Sequence, residues 1–155
     1  MSAYVRNIFA SAVLCVFAGT AVAQECPAEP SFVGVTSTNA NVRASKSRID
    51  RGQWAIAEHF ATEAIESGTA SRNKAAAYIN LCAALANQLS AGTVEACDEA
   101  VNRNESRWEA YNNRGAAYWL AGDQAAAIED FGRASELGAG EEEVETNAAL
   151  ARCEA

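Results

Sequence analysis

A recurrence of about 34 residues constrains this chain more than any other feature of it. The segments "AYINLCAAL" (77–85) and "AYNNRGAAY" (110–118) align at an offset of 33, placing Tyr78 on Tyr111, Asn80 on Asn113, Ala83 and Ala84 on Ala116 and Ala117, and Leu85 on Tyr118. "EACDEAV" (95–101) and "EDFGRAS" (129–135) align at 34, with Cys97 on Phe131 and Ala100 on Ala134. "GQWAIAEHFATEAIESG" (52–68) repeats the second half of the unit, its Ala61 and Ala64 lying 36 residues before Cys97 and Ala100. A period of this length marks an array of helix pairs, in which each pair buries its open face against the next.

The local chemistry agrees. Tyr111 and Tyr118 are seven residues apart and therefore share one helix face. Gly115 lies between them, where a missing side chain admits a close partner helix, with Ala127 placed to face it. Phe131 and Ala134 continue that partner's inward stripe. Gly122 is placed to end the first helix and Asp123 to cap the second.

Before the repeats, "MSAYVRN" carries Arg6, Ile8–Ala18 is an 11-residue apolar run, and Ala21-Val22-Ala23 supplies small residues. That order reads as a secretory signal over residues 1–23, cut after Ala23; the alternative is an uncleaved anchor, for which the apolar run is short. Leu14 before Cys15 is too large for a lipoprotein cleavage site, so no membrane anchor is expected once the signal is removed. Residues 24–37 hold both prolines and no helical period and read as an extended leader. The expected location is exported, periplasmic or secreted, where an even set of four cysteines (Cys26, Cys82, Cys97 and Cys153) favours disulfides.

The chain holds 12 Lys+Arg against 20 Asp+Glu, which disfavours nucleic acid and anionic lipid as partners. The charge is uneven. Residues 43–74 carry six basic and four acidic residues, whereas 95–155 carry five and fourteen. The lone His59 has no evident catalytic partner and reads as a helix-surface residue. No cysteine pair has zinc-ligand spacing, no C-x-x-C exists, and the acidic run 141–143 lacks the alternation of a calcium loop. No metal, cofactor or enzymatic activity is expected.

The third unit resembles a tetratricopeptide repeat. That family places aromatics at positions 4, 11 and 24, small residues at 8, 15, 20 and 27, and proline at 32. Tyr111, Tyr118 and Phe131, with Gly115, Gly122, Ala127 and Ala134, match the first two sets, and Ala139 replaces the proline. The middle unit keeps Tyr78, Leu85 and Ala100, with Cys82 and Cys97 in place of Gly and the aromatic. The first unit matches in its second helix through Gly52, Ala57 and Ala64. The resemblance implies an all-α, right-handed helical-repeat superhelix over residues 38–155. Its units fall at about 38–71, 75–107 and 108–141, and a capping helix occupies 142–154.

The same resemblance implies a concave groove that binds a protein or peptide segment. Its lining is Ile79, Asn80 and Ala83 of the middle unit and Asn112, Asn113, Ala116 and Trp119 of the third. Ala76, Ala86 and Glu109 extend it, with Val42, Lys46 and Ile49 from the first unit. For Trp119, packing against the capping helix is the competing role, whereas Trp54 reads as core and Trp108 as a staple at the start of the third unit. The resemblance also sets Cys82 and Cys97 on facing helices, where a disulfide would close a loop of about 15 residues and contribute ~3 kcal/mol; two small buried thiols are the alternative. Cys26 and Cys153 would then remain to tie the leader to the cap, although four cysteines alone fix no connectivity. The implied function is an exported interaction adaptor. The alternatives are a structural part of an envelope complex built by repeat stacking, and a thiol-dependent enzyme.

Overall fold

A computed structural model describes residues 26–153; the signal reading and Cys15 fall outside the described residues. The described chain forms seven helices and no strand. They are α1 (Ala40–Ile49), α2 (Trp54–Glu66), α3 (Ser71–Asn87), α4 (Thr93–Arg103), α5 (Trp108–Leu120), α6 (Gln124–Leu137) and α7 (Glu142–Cys153). Turns of three to five residues join them, so each helix folds back on the last. None is long and apolar enough to cross a membrane.

The contacts sort the helices into two rows. α1, α3, α5 and α7 touch in succession, while α2, α4 and α6 touch only the helices that precede and follow them. Sequence explains the order. The first row is rich in alanine, and its Ala75, Ala76, Ala77, Ala83, Ala84, Ala86, Ala110 and Ala116 are all buried, so backbones approach without bulky knobs between them. α1, for which the repeat gave only faint signals, is a ten-residue helix started by the Asn39 side chain, which accepts from the Asn41 and Val42 amides.

The α5–α6 hairpin shows how the repeat residues act. Gly122 adopts φ +83°, the left-handed turn that releases the chain from α5. The Asp123 carboxylate accepts from the Ala126 amide at 3.1 Å and caps α6. At Gly115, an added Cβ would lie 2.8 Å from two carbons of the buried Phe131 ring and 3.1 Å from the Asp130 Cβ. Glycine is therefore the condition for α5 and α6 to meet at this distance.

Two disulfides close the fold. Cys82 and Cys97 join α3 to α4, and both are buried. Cys26 and Cys153 join the start of the described chain to the end of α7, and both are exposed. The second closes a loop of more than a hundred residues, for which chain entropy alone gives a stabilisation of about 5 kcal/mol.

Gly115→Ala sets a gain in helix propensity of up to ~1 kcal/mol against overpacking of about 1–3 kcal/mol. The ring it meets is enclosed, so the clash should win. Urea unfolding should show a net loss of about 1–2 kcal/mol, whereas Gly132→Ala, with open space at its Cβ, should stabilise the protein slightly.

Candidate functional site: an asparagine ladder

The leader is built into the face of the first helix row. From Ser31 to Val35 it runs extended across α7, α5 and α3, and alternate residues present their N–H and C=O to that face. Each presented pair meets the carboxamide of an asparagine. The Asn147 oxygen accepts from the Ser31 amide at 2.7 Å, and its nitrogen donates to the Ser31 carbonyl at 2.8 Å. Asn113 accepts from Val33 at 2.9 Å and donates back at 2.8 Å. Asn80 accepts from Val35 at 2.7 Å and donates back at 3.0 Å. Asparagine alone among short side chains has an acceptor and a donor spaced like those of a peptide, so each rung copies one step of β pairing.

Further bonds fix the rungs in place. Asn112 donates to the Ser31 carbonyl at 3.0 Å and accepts from Asn147 at 2.8 Å. Asn113 also reaches the Ile79 carbonyl at 3.2 Å, and Asn80 the Val42 carbonyl at 3.3 Å, which links neighbouring helices through the rungs. Asn80, Asn112, Asn113 and Asn147 are fully buried. Among the described residues no buried side-chain nitrogen or oxygen lacks a partner.

The other residues of the leader secure it by packing. Phe32 wedges between two clusters, one of Ile49, Ala57, Ala83 and Ala84 and one of Ala116, Ala127 and Phe131. Gly34 crosses α1 so closely that a Cβ would meet Lys46 Cγ at 3.0 Å and Ile49 Cδ1 at 3.2 Å. Val35 is buried with Val42, Ala76 and Ile79.

The groove residues named from the repeat thus come together, with the chain's own leader along them. Ile79, Asn80, Ala83, Asn112, Asn113 and Ala116 are all buried. Trp119 is partly buried, its ring centroid 6.3 Å from that of Phe131, in the cluster that Phe32 and Ala151 also join. Val42, Ile49, Ala76 and Ala86 are buried as well. Lys46 pairs with Asp50 at 2.7 Å and Glu109 with Arg107. Sequence reasoning missed one rung, Asn147, although it lies 34 residues after Asn113. It also missed that residues 31, 33 and 35 of the chain's own leader bond these asparagines.

Outside the ladder, Arg114 organises the α4–α5–α6 face. Its guanidinium bonds both Asp130 oxygens at 2.7 and 2.9 Å and Asp98 at 3.0 Å, and lies within 6 Å of the Tyr111 and Tyr118 rings. Its pKa is raised above the ordinary arginine value, first by the Asp130 hydrogen bond, and burial raises that of Tyr118. Asp98 of α4 is a member of this network. An open apolar cavity of about 320 Å³ lies beside it, between Leu89 of the α3–α4 turn, Val94 of α4, and Ala117 and Tyr118 of α5.

His59 is exposed on α2 near Phe60, and Trp54 packs on the Ile49 cluster. The Trp108 ring covers the Gly138 backbone, where an added Cβ would approach it to 2.5 Å. Among the described residues no group of three or more His, Cys, Asp or Glu is placed to hold a metal ion. No protein-family model matches the chain, and no curated protein matches it.

Asn113→Ala removes four hydrogen bonds and strands the N–H and C=O of Val33, while the Ile79 carbonyl keeps its partner within α3. It should cost about 2–4 kcal/mol in urea unfolding, on the usual cost of unpaired buried groups. Asn113→Asp should be no better, since a carboxylate accepts from Val33 but repels its carbonyl oxygen. Asp130→Asn should cost about 2 kcal/mol, less than a fully buried pair, because Arg114 keeps Asp98 and some solvent.

Proposed function

We propose that this chain is an exported adaptor of tetratricopeptide-like build that holds a protein segment in extended form along its asparagine ladder. The observation that carries the reading is the bidentate pairing of Asn80, Asn113 and Asn147 with Val35, Val33 and Ser31. Such rungs read backbone rather than side chains. They suit a binder of extended segments, and residues 31–35 supply one in cis.

Spacing supports a curved, superhelical array. An extended strand advances ~7 Å over two residues, whereas packed helix axes lie ~8–10 Å apart. Side chains that meet successive rungs must therefore converge, as they do on the inside of a curve. The shift from 33 to 34 residues between rungs follows the repeat itself. Two disulfides agree with an oxidising compartment outside the cytosol. Pairing of all four described cysteines favours the adaptor reading over a thiol-dependent enzyme.

A photo-crosslinking residue at Trp119, in the exported protein within its own host, tests the reading. The expected outcome is a crosslink to a discrete segment of another protein, lost when Asn113 is also changed to Ala. Crosslinks confined to residues 26–39 of the same chain under every condition would refute it.

A further inference from the structure

The leader meets the groove in a form that both describes a partner and controls its access, and the following rests on the adaptor reading above. We propose that residues 31–35 are a tethered stand-in for an extended partner segment with an aromatic-x-glycine core, latched in place by the Cys26–Cys153 disulfide. Opening that bridge exposes the ladder to the partner.

The chemistry of the partner follows from how the stand-in is held. Ser31, Val33 and Val35 each give up an N–H and a carbonyl to a rung. Proline is therefore barred from those three places, because it has no N–H to give. The position between the first two rungs needs an aromatic ring, since Phe32 fills the gap between the Ile49 and Phe131 clusters. The position between the second and third favours glycine, since a Cβ there would press on Lys46 Cγ at 3.0 Å and Ile49 Cδ1 at 3.2 Å, and a larger side chain would press harder. A segment that fits these rules competes for the same bonds.

The latch follows from where the sulfurs are. Cys26 lies five residues before the first rung, so the bridge to Cys153 pins the leader's outer end, while the inner end continues into α1. Both residues of this bridge are exposed, whereas Cys82 and Cys97 are buried. A dithiol reductant can reach the first and not the second. Its two thiols give two electrons and two protons, closing to a disulfide as the Cys26–Cys153 bond becomes two thiols. With one end free, the leader is held by its rungs, by Phe32 and by the buried Val35, at the local concentration its short tether sets.

The test uses a fluorescein-labelled peptide of residues 29–37, which lacks cysteine, titrated against the mature chain by anisotropy. Binding should strengthen in order from the oxidised wild type, through both the dithiothreitol-reduced protein and Cys26→Ser/Cys153→Ser, to that double variant carrying Phe32→Ala in its own leader. Each step should be at least tenfold. Peptides carrying Phe32→Ala, Val33→Pro or Gly34→Val should bind the unlatched protein at least tenfold more weakly. Circular dichroism confirms that each variant keeps its helices. Equal binding by latched and unlatched proteins overturns the latch and leaves the adaptor reading standing. A folded, unlatched protein that ignores the peptide overturns the inference, while the adaptor reading still answers to its crosslinks. A reduced protein that excludes the peptide and elutes as a dimer places a second copy's leader in the groove and overturns the assignment to a foreign segment.

Discussion

An extended backbone lying in a protein interior must find partners for every N–H and C=O it turns inward, and that requirement organises this molecule. Helices satisfy their own backbones; residues 31–35 cannot. Their inward-facing groups are answered by asparagines on three successive helices of one row. A stranded buried amide costs on the order of 1–3 kcal/mol, so losing one rung removes a sizeable fraction of what holds a small domain together. The ladder also fixes register. Sliding the leader by one residue would set Phe32 where a rung is and Val33 where Gly34 crosses Lys46 and Ile49.

The rest of the structure serves this arrangement at different distances. Alanines in α3 and α5 let the row of helices close up until the asparagines stand within reach of one strand. Gly115 and Phe131 set α6 against α5 from behind, and the Arg114–Asp130 pair, clasped by Tyr111 and Tyr118, holds that hairpin in one orientation. The two disulfides act at opposite ends. One ties α3 to α4 inside the fold, and the other fastens the leader's outer end to α7, the helix that carries the first rung.

The repeat and the helix ends were legible because they rest on side chains with fixed local chemistry. Gly122 and Asp123 mark a turn and a cap wherever they fall in this pattern, and the match of Asn80 to Asn113 could be counted off. The ladder as a whole was not legible. Asn147 sits in a helix that has Glu145 and Arg152 where the repeat places its two tyrosines, so its offset of 34 carried no weight beside glutamates and alanines. The leader's part was hidden for a deeper reason. Its bonds run through backbone, which every residue has, and only Gly34 and Phe32 leave a trace in the sequence. α1 was faint because just three of its ten residues are buried.

Amide hydrogen exchange on the oxidised protein addresses the central claim most directly, because Val33 and Val35 lie outside any helix and owe their protection to one asparagine each. If the ladder holds the leader as described, these two amides should exchange at least a hundredfold more slowly than in a free peptide, while Thr36, exposed beyond the last rung, exchanges freely. Val33 and Val35 amides exchanging at free-peptide rates in an otherwise protected fold would contradict the account.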